Sequence, residues 1–439
     1  LLAPPGRMSD AEGPQIQVSF TTKLPQELVV TDLPIAIPAR LSRLGLSEVI
    51  NHLLELDPPR PFDFVVSGEL LRSSLDVCVT SKGLSSEEVI IIEYDLLPGA
   101  PDEGPSHPHD DWVAGVCMRA DGCLVSGAYD SNVRIWPGSG ASPLVLTGHS
   151  DGVTSCCWAD EDASANTCAL SGSKDFTLRS WAVSAQQHQW APVFKHTGHT
   201  ASVEGVSSSR DGSRFCSASF DKTLKVWAAP TASQVADALA AFGDGAITEA
   251  SNRPDKAKKQ ASGKTQAIKE RGCTCTLLGH TQAVSSVAWG GDAVVSGSWD
   301  HTVREWDVET QTCATTLSAG HAVTSVAASR DRLLASAHHD RKVRVWDPRA
   351  GADALVRSSL VSHKGWVNAV AWSQENPHHL VSASHDTTVK VWDMRSAVPL
   401  HTLAAHEGKA LCVHWARGGR IVSGGTDGKV KEYSPPADE

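Results

Sequence analysis

A serine, a histidine and an aspartate return together seven times in this 439-residue chain. They are the residue types of a nucleophile, its general base and the acid that orients the base. The serines are Ser126, Ser171, Ser217, Ser296, Ser336, Ser382 and Ser423, and four residues after each stands Asp130, Asp175, Asp221, Asp300, Asp340, Asp386 or Asp427. Upstream of each aspartate, by 19 to 26 residues, stand His109, His149, His199, His280, His321, His363 and His406. A hydrolase needs one such set, whereas every copy here is followed, six positions past the aspartate, by a large aromatic residue: Trp136, Trp181, Trp227, Trp306, Trp346, Trp392 and Tyr433. The recurrence assigns the constellation to architecture rather than to catalysis.

The elements that must position such a set follow from the period. Successive aspartates lie 40 to 46 residues apart, apart from one gap of 79 between Asp221 and Asp300, which is the spacing of four-stranded propeller blades. In an antiparallel blade the loop into strand a and the b–c turn share one end, so the histidine can reach the aspartate. Serine on strand b and tryptophan on strand c then complete a buried hydrogen-bonded chain. His280, Ser296, Asp300 and Trp306 represent the pattern, which resembles that of WD-repeat proteins and is expected in all seven blades. A basic residue four after each aspartate belongs to strand c. The expected fold is mainly β: a seven-bladed WD-repeat β-propeller over residues 109–434, preceded by a small α+β ubiquitin-like (β-grasp) domain over 15–95.

In that first module QIQVSFTT, centred on 16–22, alternates as a strand, and LVVTD reads as its hairpin partner. GLSEVINHLLEL places Leu46, Val49, Ile50, Leu53 and Leu54 at helical spacing, with Ser47 as a possible cap and Pro58-Pro59 beyond the end. FDFVVS (62–67) and EVIIIEYD (88–95) supply two further strands around an irregular passage, giving the order ββαββ. The module carries 6 Lys/Arg against 12 Asp/Glu and no phosphate loop or His/Cys cluster. It reads as a docking domain.

Residues 96–108 form a Pro- and Gly-rich linker that also offers a ring-closing strand, since only SPPADE follows Tyr433. An insert at about 231–272 accounts for the long gap. Its Ala-rich first half has helical potential, and SNRPDKAKKQASGKTQAIKER holds seven Lys/Arg against two acids. It is expected to be a mobile loop projecting from one blade edge, for which nuclear localisation and direct rRNA contact compete with plain solvation. The net charge of −11 argues against a general nucleic-acid surface. Eleven cysteines fit neither a disulfide framework nor a zinc site and suit a reducing, intracellular compartment. No apolar run is long enough to span a membrane. Met8 is the first methionine, and residues 1–7 are set aside as an extension.

GLSEVINHLL, PFDFVVSGELLRSSL, GLSSEEVIIIEYD and HDDWV, with the insert beginning SNRP, resemble the ribosome-biogenesis WD-repeat family that joins Pescadillo and the block-of-proliferation protein in the PeBoW complex. The similarity covers 15–433. Notchless shares this type of N-terminal domain, but is expected to have an eighth blade where seven sets occur here. The resemblance implies a nucleolar and nucleoplasmic, non-enzymatic assembly factor, monomeric on its own, acting on pre-60S particles and rRNA processing. Its propeller would bind the block-of-proliferation WD-repeat protein, and its ubiquitin-like domain the AAA ATPase midasin. By position Glu87 matches the family glutamate that completes a divalent ion, Mg²⁺, in midasin's adhesion site; Glu88 is the fallback. No cofactor of the chain's own is implied. Other WD-repeat roles, as substrate receptor of a ubiquitin ligase or histone-tail reader, are the alternatives.

A second candidate site comes from the repeat itself. The residues just before the network aspartates sit on the rim of the b–c turns and include Tyr129, Phe220, Trp299, His339 and His385, alongside Lys174 and Thr426. Trp112 and Trp366 each follow a network histidine by three. Exposed aromatics are enriched at interface hot spots, so this histidine-side face is the expected partner-binding surface.

Overall fold

The computed structural model describes residues 14–31, 33–57, 59–85, 88–97, 99–138, 140–160, 167–184, 188–242, 268–291, 293–350 and 356–436. They fall into two units, 1–100 and 101–439.

In the first unit, strand β1 (Gln15–Thr21) buries Ile16, Val18 and Phe20 on one face, as its alternation requires. It pairs antiparallel with β2 (Ile35–Pro38) and parallel with β5 (Ile90–Leu96); β3 (Phe62–Val66) and β4 (Glu69–Leu70) complete the order β2-β1-β5-β3-β4. Helix α1 (Arg43–Leu53) buries Leu46 and Ile50 over Phe20, Phe62, Phe64 and Tyr94. The arrangement is that of a β-grasp.

Three local expectations are corrected. The hairpin partner of β1 is β2, not LVVTD, because Leu28 and Val30 are claimed by a side chain: the buried Tyr94 hydroxyl donates to Leu28 O at 2.7 Å and accepts Val30 N–H at 2.8 Å. Ser47 lies inside α1, whose N-cap residue is Ser42; its Oγ accepts Phe62 N–H at 3.0 Å and ties the helix to β3. The passage between β3 and β5 holds β4 and a second helix, α2 (Leu75–Ser81), which buries Leu75, Cys78 and Val79. SLDVCVT is short and β-branched, so no helical period showed.

The second unit is a ring of seven blades. Each blade's strand a neighbours the next, and the last, Ala410–Trp415, neighbours the first, Val113–Met118. The seventh blade takes its outer strand from β6 (Asp102–Pro108), which pairs antiparallel with Lys429–Ser434. Its prolines sit on an outermost strand, with the register shifting between Lys431 and Tyr433, where a missing N–H costs least.

The insert is not simply a projecting loop. Its first part forms α3 (Ala232–Phe242), which packs Val235 and Leu239 against blade 2. Lys269–Arg271 then adds a fifth strand to that blade, parallel to Gln189–His196. Residues 243–267, with most of the basic run, lie outside the described residues.

Candidate functional site

The repeated set assembles as one hydrogen-bonded chain per blade. In blade 4, Trp306 Nε1–H donates to Ser296 Oγ at 2.8 Å, Ser296 Oγ meets His280 Nε2 at 2.7 Å, and His280 Nδ1 meets Asp300 Oδ2 at 2.7 Å. Burial pushes His280 below its ordinary value despite the opposing Asp300. Burial would raise Asp300, but the Thr302 hydroxyl and His280 hold it down at about 2. The pair is therefore neutral imidazole and carboxylate, with Nδ1–H donating. All seven serines are 0% exposed. No substrate carbonyl can reach them, which removes the hydrolase reading on geometry as well as on recurrence.

The aspartate also shapes its turn. Asp300 Oδ1 accepts Thr302 N–H at 3.0 Å, and His301 between them is left-handed at φ 67°. Blades 1 to 6 repeat that conformation at Ser131, Phe176, Lys222, His301, Arg341 and Thr387, and blade 7 has Gly428 there. Asn and Asp-type turns tolerate this cost because the side-chain bond compensates it. Each b–c turn is thus rigid, and the residue before the aspartate projects from a fixed base.

Blade 5 departs from the pattern, and the assignment of His321 to the network is corrected. Its side chain is 58% exposed and 3.7 Å from Asp340. His338 replaces it: its Nε2 lies 2.7 Å from Ser336 Oγ, to which Trp346 Nε1–H also donates at 2.7 Å. The cause is loop length. Strand a begins four positions after the histidine in the other six blades (His280 to Val284), but only two positions after it in blade 5 (His321 to Val323). The shortened loop cannot bring His321 inward. A side chain two before the aspartate points into the vacated place: at the equivalent Gly425, a Cβ would stand 2.7 Å from the His406 ring. Asp340, without its histidine, pairs with Arg344 at 2.6 Å. In blade 7 the aromatic position holds buried Tyr433, so no indole donates to Ser423.

On the same end of the ring the rim residues come together as a belt. Phe220 and Trp299 have ring centroids 5.2 Å apart, Trp299 and His339 6.3 Å, His339 and Trp366 4.3 Å, and Trp366 and His385 5.3 Å. Blades 3 to 6 therefore share one continuous aromatic surface. Trp112 and Tyr129 form a separate pair at 5.8 Å in blade 1, and the Lys174 ammonium sits 3.8 Å over the Tyr129 ring. Trp112, Phe220, Trp299 and Trp366 remain between 39% and 49% exposed. Below the belt runs a central channel of about 560 Å³ lined by the seven a strands.

Sequence reasoning missed Glu204 in that channel. At its position along strand a, neighbouring blades place a donor to the next blade's carbonyl: Ser285 to Val323 O at 2.6 Å, Thr324 to Val367 O at 2.6 Å, Asn368 to Ala410 O at 3.3 Å. Blade 3 has a carboxylate instead, pushed upward by burial while the Ser202 hydroxyl, donating at 2.6 Å, opposes. The aligned strands VTSCC, VEGVS and VSSVA would have shown it. Also missed were Arg341, Lys364 and Lys409, which surround Trp366.

In the first unit Glu87 lies outside the described residues. Glu88 is exposed, two positions before β5, and shares a recess of about 370 Å³ with Thr21, Ser67, Ser85 and Glu93. Val89 and Ile91 beside it are also exposed. Among the described residues, no group of three or more His, Cys, Asp and Glu could by itself hold a metal ion. A lone exposed carboxylate suits only an ion whose other ligands come from elsewhere.

Residues 16–79 match the model of the NLE (NUC135) domain, and seven segments between 105 and 434 match that of the WD domain, G-beta repeat. Three relatives are similar over nearly the whole chain. One from Chlamydomonas reinhardtii is 38% identical over 96% of this chain and 98% of its own. One from Oryza sativa subsp. japonica is 34% identical over 95% of each, and one from Nematostella vectensis is 35% identical over 97% of this chain and 100% of its own. All three bear the name ribosome biogenesis protein WDR12 homolog.

Proposed function

Because the chain belongs to the WDR12-type family of ribosome-biogenesis WD-repeat proteins, we propose that it is a non-enzymatic scaffold of pre-60S maturation and rRNA processing, working in the nucleolus and nucleoplasm. Its propeller docks the block-of-proliferation protein, which links it to Pescadillo. The observation that carries this reading is the belt Phe220–Trp299–His339–Trp366–His385: exposed rings, mutually packed, on turns the buried network holds rigid. Pre-ordered aromatic area loses little entropy on binding.

The ubiquitin-like unit docks onto midasin. Glu87, with Glu88 as the neighbouring alternative, supplies one carboxylate oxygen to a Mg²⁺ whose remaining ligands belong to midasin. Glu88 is exposed and leads into a strand anchored by buried Ile90 and Ile92, the kind of support that role needs at this position. The ion itself would supply charge for binding, not a reaction.

The test is a pair of double variants assayed by capture and by sedimentation of nuclear extract. Phe220→Ala/Trp299→Ala should release the block-of-proliferation protein and leave midasin's adhesion domain bound in Mg²⁺. Glu87→Ala/Glu88→Ala should do the reverse and trap the complex on pre-60S particles. Retention of both partners by both variants refutes the assignment, and co-migration with a cullin would favour the ligase alternative.

A further inference from the structure

The charge gathered at one end of the belt says what chemistry the docked protein brings. Around Trp366 lies a depression of about 500 Å³ lined by His339, Arg341, Lys364, Trp366, His385 and Lys409, with Gly365 and no carboxylate. Arg341, Lys364 and Lys409 are exposed, and no ion pair within 4.0 Å is formed by them among the described residues. The acids nearby are already engaged: Asp340 with Arg344 at 2.6 Å, Asp386 with His363 at 2.9 Å, Asp427 with His406 at 3.0 Å and Glu407 with Lys429 at 3.5 Å. On a chain of net charge −11, three exposed cations thus meet at one rim with no carboxylate lining the pocket.

The rings narrow the choice of anion. Trp366 stands between the imidazoles of blades 5 and 6, stacked on His339 at 20° and on His385 at 29°. Two imidazoles already pack against its ring, which leaves less of its plane open than single-strand recognition by base stacking uses. The stack also brings imidazole N–H donors to the rim. Burial pushes both imidazoles below their ordinary value, and Lys409 adds to that at His385. They are therefore neutral donors near neutral pH, and the charge comes from the lysines and the arginine. The site is held firm: His385 N–H donates to Trp366 O at 2.8 Å, and a Cβ on Gly365 would lie 2.7 Å from Asp386 N, so only glycine allows this approach.

We infer that the pocket around Trp366 seats a carboxylate-rich, Asp/Glu-bearing segment of the docked protein. The inference rests on the reading of this face as a protein-docking surface and adds the chemistry of its occupant. Carboxylates meeting three cations at a rim steer association and fix orientation, with a contribution that salt screens.

The probe is a fluorescein-labelled octaglutamate peptide titrated with the full chain, read by anisotropy, beside a ten-nucleotide single-stranded RNA and a phosphoserine peptide. The expected result is peptide binding that weakens with salt and falls at least about tenfold in Lys364→Glu/Lys409→Glu, while Lys364→Arg/Lys409→Arg retains it. Unchanged affinity in the charge-reversed variant overturns the inference. So does binding of only the RNA, which would make this a nucleic-acid site, or of only the phosphopeptide. Capture of the block-of-proliferation protein separates the two levels. If Phe220→Ala/Trp299→Ala releases it and the lysine reversal does not, the face stands and the acidic occupant falls. If neither variant releases it, yet the peptide distinguishes wild type from the lysine reversal, the docking reading fails and the pocket's chemistry stands.

Discussion

Replacing His338 by alanine tests the blade 5 geometry directly, because repeat logic and structure disagree about which histidine matters. The imidazole is 0% exposed and bonded at 2.7 Å to Ser336. Its removal forfeits a buried hydrogen bond, roughly 1–3 kcal/mol, and leaves a cavity worth about 1 kcal/mol more. At pH 7.5 the propeller should lose about 2–4 kcal/mol. His321→Ala should cost less than about 0.5 kcal/mol, as an exposed substitution does. Acid supplies a second, independent signature. Burial, with Arg344 adding to it, holds His338 at about 4 against 6.5 unfolded. As pH falls below about 6.5 the unfolded chain takes the proton first, so stability declines until the folded value near 4 is passed. At pH 5 this one group should have cost the wild type about 2 kcal/mol, a cost that His338→Ala no longer carries. The variant's deficit should therefore shrink by about 2 kcal/mol between pH 7.5 and pH 5. All 14 tryptophans lie beyond residue 100, so urea unfolding followed by indole fluorescence reports the propeller alone. A deficit for His321→Ala equal to that for His338→Ala, or one that is flat with pH, would refute the reasoning.

Asp300→Ala should lower the propeller's stability by about 1–3 kcal/mol through the partners it leaves unpaired, while capture of the propeller partner at low temperature stays intact; loss of capture in a fully stable variant contradicts a purely structural role. Because Asp300 is held at about 2 in the folded chain, its contribution is present above the ordinary carboxylate range and vanishes as pH falls toward 2, so the variant's deficit should fade over that interval in acid unfolding. Tyr94→Phe should destabilise the ubiquitin-like unit by about 1–3 kcal/mol. Hydrogen exchange should show the Val30 amide, bonded to the hydroxyl at 2.8 Å, losing protection before those of β3.

Particular residues show where sequence sufficed. Ser296, Asp300 and Trp306 sit at fixed separations because one strand pair spaces them, and repeats of fixed spacing can be read without a structure. His321 was misread because its partner strand lies across a loop of variable length; the clue was the two-residue lead into Val323, not the histidine count. Helix α2 was missed for another reason. At seven residues it is stabilised by packing Leu75 and Val79 into the core rather than by its own periodicity, and tertiary burial leaves little local trace. The hairpin error at Leu28–Val30 has the same origin, a hydroxyl 64 residues away in sequence that takes the bond a neighbouring strand would have made. Of the docking face, the positions were legible and the connections were not: nothing in the sequence shows that Trp366 would stand between His339 and His385, or that three cations would gather at its edge.

That division follows from how the repeat distributes its duties. Serine is committed in every blade to the buried chain, tryptophan in blades 1 to 6 and the aspartate in all but blade 5, and the residue after the aspartate is committed to a left-handed turn. The residue before the aspartate has no such duty and varies from Tyr129 through Lys174, Phe220, Trp299, His339 and His385 to Thr426. Variation on a rigid base is what lets a near-symmetric ring recognise one partner in one setting. Seven equivalent blades would otherwise offer a docked surface seven similar rotations. Two features remove that degeneracy: the aromatic belt spans blades 3 to 6 only, and the rim carries exposed Asp111 and Asp151 beside Lys174 on blades 1 and 2, but Arg341, Lys364 and Lys409 on blades 5 to 7. A partner turned by one blade would lose ring contacts and place its acids nearer those aspartates, so the wrong settings are opposed as well as less well packed.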